Sequence, residues 1–199
     1  YKLLQYIHYP ERKIKIVMVN DEREYYKQSP QHEEQGKNIF RVPSVIVSKN
    51  NHELGRVIEY PAENWAKDLY KIASGENYKP SYSAGYNFIK LLNEKDPAAL
   101  QKDSAALIAN LKQTTAGRSE LNAVGFVYYG THDTAKALFT FLINYALYPK
   151  EPRVINSLAF MYSKMGDTAK AIELYTKTLA IDAENEAAKE ALRAINAVE

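Results

Sequence analysis

Apolar residues are arranged in two ways along this chain. In the first 60 or so residues they form short runs bounded by Pro, Asn and Gly; further on they recur at helical spacing. Tyr1–His8 reads as the last turns of a helix, with Leu3, Leu4 and Ile7 on one side and Pro10 beyond its end. Lys13–Asn20 (KIKIVMVN) reads as a strand, and its unbroken Ile16-Val17-Met18-Val19 run suits a strand covered on both faces. Asp21–Asn38 is polar, contains Pro30 and Gly36, and reads as a loop with room for one short helix. Two more strands, Val45–Ser48 and Glu53–Tyr60, flank Lys49–His52, a turn whose Asn pair tolerates the positive φ of a tight hairpin. After Pro61, Ala62–Ser74 is an amphipathic helix with Trp65, Leu69 and Ile72 on one face and Gly75 as its stop.

Helical spacing takes over after the polar linker Glu76–Ser81. Tyr82–Glu94 predicts a helix that buries Tyr86, Phe88, Ile89 and Leu92. Asp96 and Pro97 are a favoured pairing at a helix N-terminus, and that helix is expected to run to about Lys112 with Leu100, Leu107, Ile108 and Leu111 on one stripe. Thr114–Gly117 is a break. The segment Asp-Thr-Ala-Lys-Ala then occurs twice, at Asp133–Ala137 and at Asp167–Ala171, 34 residues apart. Leu121 and Ile155, Gly125 and Ala159, Tyr128 and Tyr162, Phe141 and Tyr175, and Pro149 and Ala183 keep the same offset. This half of the chain resembles the tetratricopeptide-repeat family, whose helix–turn–helix units have that period. The repeats would be Arg118–Glu151 and Pro152–Asn185, with Glu186–Val198 as a capping helix. Small residues (Gly125, Ala159, Ala137, Ala171) would let paired helices approach closely.

The N-terminal stretch carries a second resemblance. A strand, a connecting segment, Val42-Pro43, a hairpin and a closing helix, with the wording RVPSVIVSKNNHELGRVIEYP, are similar to the second half of a thioredoxin-family fold. The resemblance places Pro43 at the family's cis-proline and makes Arg41, Val42 and Pro43 the surface that meets an extended client peptide. It also implies a sheet in which Lys13–Asn20 and Val45–Ser48 lie on either side of a missing strand, the slot being filled by a segment upstream of Tyr1. The family's CxxC would fall just before this chain begins. The expected fold class is therefore α/β plus all-α. Residues 1–75 form a partial thioredoxin-like sheet domain, 76–117 a linker with adaptor helices, and 118–199 two tetratricopeptide repeats with their cap.

Composition narrows the chemistry. The 199 residues carry a net charge of +2, 46% apolar and 25% charged residues, and no charge run that suggests a nucleic-acid or membrane patch. No apolar run approaches the roughly 20 residues that span a bilayer. Cysteine is absent, so no thiolate, disulfide or cysteine metal site exists. His8, His32, His52 and His132 are far apart and read as surface residues, and no metal or other cofactor is expected. Glu33-Glu34 reads as a solvated loop, and the sixteen tyrosines as core and groove residues. There is no Gly-x-Ser-x-Gly, no Ser-x-x-Lys and no phosphate-binding glycine loop.

The repeat resemblance places Asn122, Phe126 and Tyr129 of one repeat, with Asn156, Phe160 and Lys164 of the next, along a concave groove. Asn122 and Phe126 stand where the carboxylate-gripping version has Lys and Asn, so an apolar or helical segment is the better fit. The alternative is that these aromatics pack only against the adaptor helices or the sheet domain. The function expected is that of a thioredoxin-like protein with tetratricopeptide repeats that binds polypeptide clients or an assembly partner. The alternative is a member of the disulfide oxidoreductase family, a thiol-disulfide oxidoreductase or isomerase whose CxxC lies upstream of Tyr1. The repeat style also resembles tails of exported serine hydrolases, which leans towards a bacterial exported or periplasmic setting.

Overall fold

The computed structural model describes His8 and residues 10–197. The helix expected at Tyr1–His8 otherwise lies outside the described residues. Among these residues the chain forms a two-stranded antiparallel sheet followed by nine packed helices. Strand β1 (Ser44–Lys49) pairs with β2 (His52–Ile58) from Ser44↔Ile58 to Lys49↔His52, with a bulge after Val47. Asn50 and Asn51 have φ of 52° and 62°, the left-handed pair that a two-residue hairpin requires.

Helix α1 (Trp65–Ser74) is capped by Asn64, whose side chain accepts from Lys67 N at 3.0 Å, and ends at Gly75 in the left-handed region. Its Ile72 lies on β2, where a Cβ on Gly55 would meet it at 3.1 Å. Trp65 does not join that contact and is 38% exposed, because the helix approaches the hairpin through its C-terminal half. Helix α2 (Ser83–Glu94) buries Phe88, Ile89 and Leu92. The single helix expected from Pro97 is two, α3 (Pro97–Gln101) and α4 (Ser104–Thr114), separated at Lys102-Asp103. Asp103 and Ser104 there form a second N-terminal signal.

Four helices then stack in antiparallel pairs: α5 (Arg118–Gly130) with α6 (Thr134–Leu147), and α7 (Pro152–Lys164) with α8 (Thr168–Ile181). Helix α9 (Glu186–Asn196) closes the stack, capped by Asn185. The two copies of the duplicated motif do the same work. Asp133 accepts from Lys136 N at 3.1 Å and Asp167 from Lys170 N at 3.2 Å, each capping its helix. The turn before each is the same, with His132 and Gly166 in the left-handed region. One continuous core runs from Phe40 and Ile58 through α2 to Ala188 of α9.

The strand expected over Lys13–Asn20 is not formed. Glu11–Lys13 is a 3-10 turn, and the chain from Ile14 to Asn20 then has no regular structure and no partner strand among the described residues. The backbone of Lys15–Val19 makes no hydrogen bond, and Ile16 and Met18 are 70% and 78% exposed. A strand exists only with a neighbour to bond to, and none reaches this segment among the described residues. The sheet therefore has two strands, and Lys13–Asn20 does not pair with β1.

Candidate functional site

Helix α5 carries a stripe of residues at Ser119, Asn122, Phe126 and Tyr129, spaced three and four apart and so on one face. The stripe spans about 15 Å at 1.5 Å per residue. Its N-terminal end meets the loop before β1. Arg41 donates through Nη1 to Glu59 Oε2 at 2.7 Å and through Nη2 to Ser119 Oγ at 2.7 Å. Its guanidinium lies 4.0 Å above the Tyr82 ring, and its Nε is buried without a hydrogen-bond partner. Val42 and Pro43, joined by a cis bond, are exposed beside it. Arg41 thus ties the hairpin to the helices, while Val42 and Pro43 face solvent.

Glu120, next to Ser119, is fully buried. Its carboxylate accepts from Gly85 N and Ala116 N, both at 2.7 Å, which satisfies amides at the start of α2 and before α5. Burial pushes its pKa above the ordinary carboxylate value, against the two amide bonds and the Arg41 charge, which pull it down. In sequence this residue was one Glu among many, and nothing marked it as buried.

The C-terminal half of the stripe is aromatic. Phe126 and Phe160 have ring centroids 5.9 Å apart, and Tyr129 meets Phe160 edge-on at 5.0 Å. Lys164 Nζ lies 5.6 Å from the Phe160 centroid. Four of the six groove residues therefore meet in one cluster. The other two, Asn122 and Asn156, are half-buried, each with a buried Oδ1 that accepts no hydrogen bond. The Asn156 amide donates instead to Asn185 Oδ1 at 2.7 Å. A cleft of about 350 Å³, lined by Tyr129, His132, Thr134, Met161, Lys164 and Met165, adjoins the cluster.

Sequence reading missed what lies on this face. Arg23 places its guanidinium 5.3 Å from the Phe126 centroid and 4.9 Å from that of Phe160. The Tyr26 ring is 6.1 Å from Phe126, and Gln28 Nε2 donates to Gly130 O at 2.5 Å. These residues sit in the polar Asp21–Asn38 loop, whose only mark is the Tyr25-Tyr26 pair among charges.

No metal or acid–base constellation accompanies the stripe. Among the described residues no three or more His, Asp or Glu gather as a metal site. All four histidines are exposed. The disulfide-oxidoreductase alternative is corrected: the chain contains no cysteine, and thiol–disulfide exchange begins with a thiolate. No described helix is long and apolar enough to cross a membrane. No protein-family model matches the chain, and comparison with curated proteins returns no match either.

Proposed function

We propose that this chain is a polypeptide-binding protein that performs no chemistry of its own. In this reading a thioredoxin-like part, residues 1–75, is joined by adaptor helices, 76–117, to two tetratricopeptide-type repeats with a capping helix, 118–199. Its partners are polypeptide clients or an assembly partner. The observation that carries the proposal is that the aromatic face already has polypeptide laid against it: Arg23, Tyr26 and Gln28 engage Phe126, Phe160 and Gly130.

Ring faces of this kind take cationic and apolar side chains with little demand on sequence. Asn122 adds a buried carboxamide oxygen with nothing to accept from, and a peptide N–H would relieve it. The groove contacts are then Phe126, Tyr129, Phe160 and Lys164, flanked by Asn122 and Asn156. Arg41, Val42 and Pro43 contribute the second contact surface at the other end of the α5 stripe, through the exposed Val42 and Pro43.

The test is a fluorescence anisotropy titration with reduced, carboxymethylated α-lactalbumin, a permanently unfolded polypeptide. Saturable binding is expected, weakened several-fold by Phe160→Ala in the groove and by Val42→Asp at the loop. Absence of binding, or binding that neither variant alters, would remove the proposal.

A further inference from the structure

The segment on the aromatic face is a closed unit. Asn20 N donates to Gln28 O at 2.7 Å and Lys27 N to Asn20 O at 2.8 Å, so the two ends of residues 20–28 are joined. Tyr25 N bonds Glu22 O and Gln28 N bonds Tyr25 O inside it. Lys27 Nζ is paired with Asp21 Oδ1 at 2.6 Å and lies 4.4 Å from the Tyr26 centroid. Of all the hydrogen bonds made by these nine residues, only Gln28 Nε2 to Gly130 O leaves the loop. The chain leading into it, Lys15–Val19, has no backbone hydrogen bond at all. Residues 20–28 therefore hold their own shape and rest on the repeats through ring faces and one amide, as a bound peptide would.

The receiving surface is shaped for this. Gly130 lets the loop backbone come close: a Cβ there would stand 3.0 Å from Tyr26 N and 3.4 Å from Arg23 O. One repeat later the same position is Lys164, so only the first repeat offers that approach. Arg23 is exposed and has no carboxylate or carbonyl partner, so the rings are what hold its guanidinium. A planar cation resting on two aromatic faces is a recognition contact that another arginine reproduces.

We propose that residues 20–28 are a built-in occupant of the α5–α7 groove, and that the groove's external ligand is a polypeptide segment presenting an arginine, which takes the place of Arg23 when the loop swings away. This rests on the proposed polypeptide binding and names both its ligand chemistry and its regulation. The 20–28 loop holds the groove closed until a segment of higher affinity or local concentration displaces it.

The experiment uses the full chain and two fluorescent peptides, one copying residues 20–28 (NDEREYYKQ) and one with its arginine replaced by alanine. Arg23→Ala is the opening variant, chosen because the side chain is exposed and makes no hydrogen bond, so folding is preserved. Arg23→Ala is expected to bind the first peptide about tenfold more tightly than the natural chain does, and the alanine peptide about tenfold more weakly than the first. Adding Gly130→Ala to the Arg23→Ala chain, an exchange favourable to a helix, is expected to weaken binding several-fold by crowding the peptide backbone. Equal binding by both chains, or equal binding of both peptides, overturns the inference. If carboxymethylated α-lactalbumin binds and neither peptide does, the inference fails while polypeptide binding stands; if nothing binds, both fail.

Discussion

The two repeats are built to one plan and differ where their surroundings differ. Position by position, 34 residues apart, Leu121 and Ile155 are both fully buried, and Asp133 and Asp167 cap their helices with the same geometry. The backbone N–H of each capping Asp also bonds the carbonyl of Tyr128 or Tyr162. The differences are equally local. Glu120 of the first repeat corresponds to Val154 of the second, both buried. Gly125 corresponds to Ala159, and Phe141 to Tyr175. His132 corresponds to Gly166, both in the left-handed region. The first repeat packs against α2, α3, α4 and the N-terminal loop. The second packs on the first and on α9, and meets the N-terminal loop at Phe160, under Arg23.

Exchanging residues between the repeats breaks this comparison most sharply at Glu120. Glu120→Val installs the second repeat's residue but strips the acceptor from Gly85 N and Ala116 N. The buried Gly85 amide, left unsatisfied, costs about 1–3 kcal/mol, while Ala116 is exposed and its amide can turn to water, so a loss of up to about 3 kcal/mol is expected in urea unfolding. An unchanged midpoint would show that the two amides find water instead.

Gly125 comes next. A Cβ there would stand 2.5 Å from Phe141 Cε1, whereas the second repeat accommodates the Ala159 methyl in its core. Gly125→Leu is expected to lower stability by about 1–3 kcal/mol or more, since the ring must move or the helices part. Gly125→Ala goes the same way despite its better helix propensity. A melting temperature unmoved by Gly125→Leu would mean that α5 and α6 do not meet at this residue.

His132 offers a smaller change of opposite sign. An L residue in the left-handed region costs about 1–2 kcal/mol. Glycine removes that cost but adds about 0.4–1 kcal/mol of unfolded-chain entropy. His132→Gly, copying Gly166, should therefore stabilise the chain by about 0.5 kcal/mol. A destabilised variant would show that the imidazole makes a contact worth more than the backbone cost.

The smallest effect is in pH dependence, and the repeats carry opposite signs. Burial raises the Glu120 carboxyl, so its contribution to stability is full below its ordinary value of 4.5 and falls as pH rises through the folded value. Asp167 is lowered, first by the hydrogen bond from the Lys170 side chain and then by the Lys170 amide. Its contribution is present above the ordinary 3.8 and is lost as pH falls through the folded value. Glu120→Gln should flatten the fall above pH 4.5 and leave the acid side as it was. An unchanged slope above pH 4.5 would assign that fall to another group.

The sequence places α1, α2 and α9 to within a few residues, reads α3 and α4 as one helix, and marks α5 to α8 only through the 34-residue recurrence. It also found the hairpin turn. It did not find Arg23, Tyr26 or Gln28, because a docked loop has neither period nor repeat to mark it. It read Arg41 as a client contact by resemblance, and the structure gives that side chain Glu59, Ser119 and Tyr82 as neighbours.

What the sequence determined by itself follows from chemistry that acts within a few residues. Asp133 and Asp167 cap because an Asx side chain reaches an amide three residues on. Asn50-Asn51 turns because Asn tolerates positive φ. The stack recurs because the small and large residues recur every 34 positions. Other features depend on partners far along the chain. Lys13–Asn20 has the composition of a strand but, among the described residues, no neighbouring strand to make it one. Glu120 is buried because the start of α2, 35 residues away, needs an acceptor. The aromatic face is occupied because Gln28 and Gly130, 102 residues apart, meet there. A hydrogen bond within one turn is written into neighbouring letters, whereas one across the molecule exists only once the chain has closed on itself.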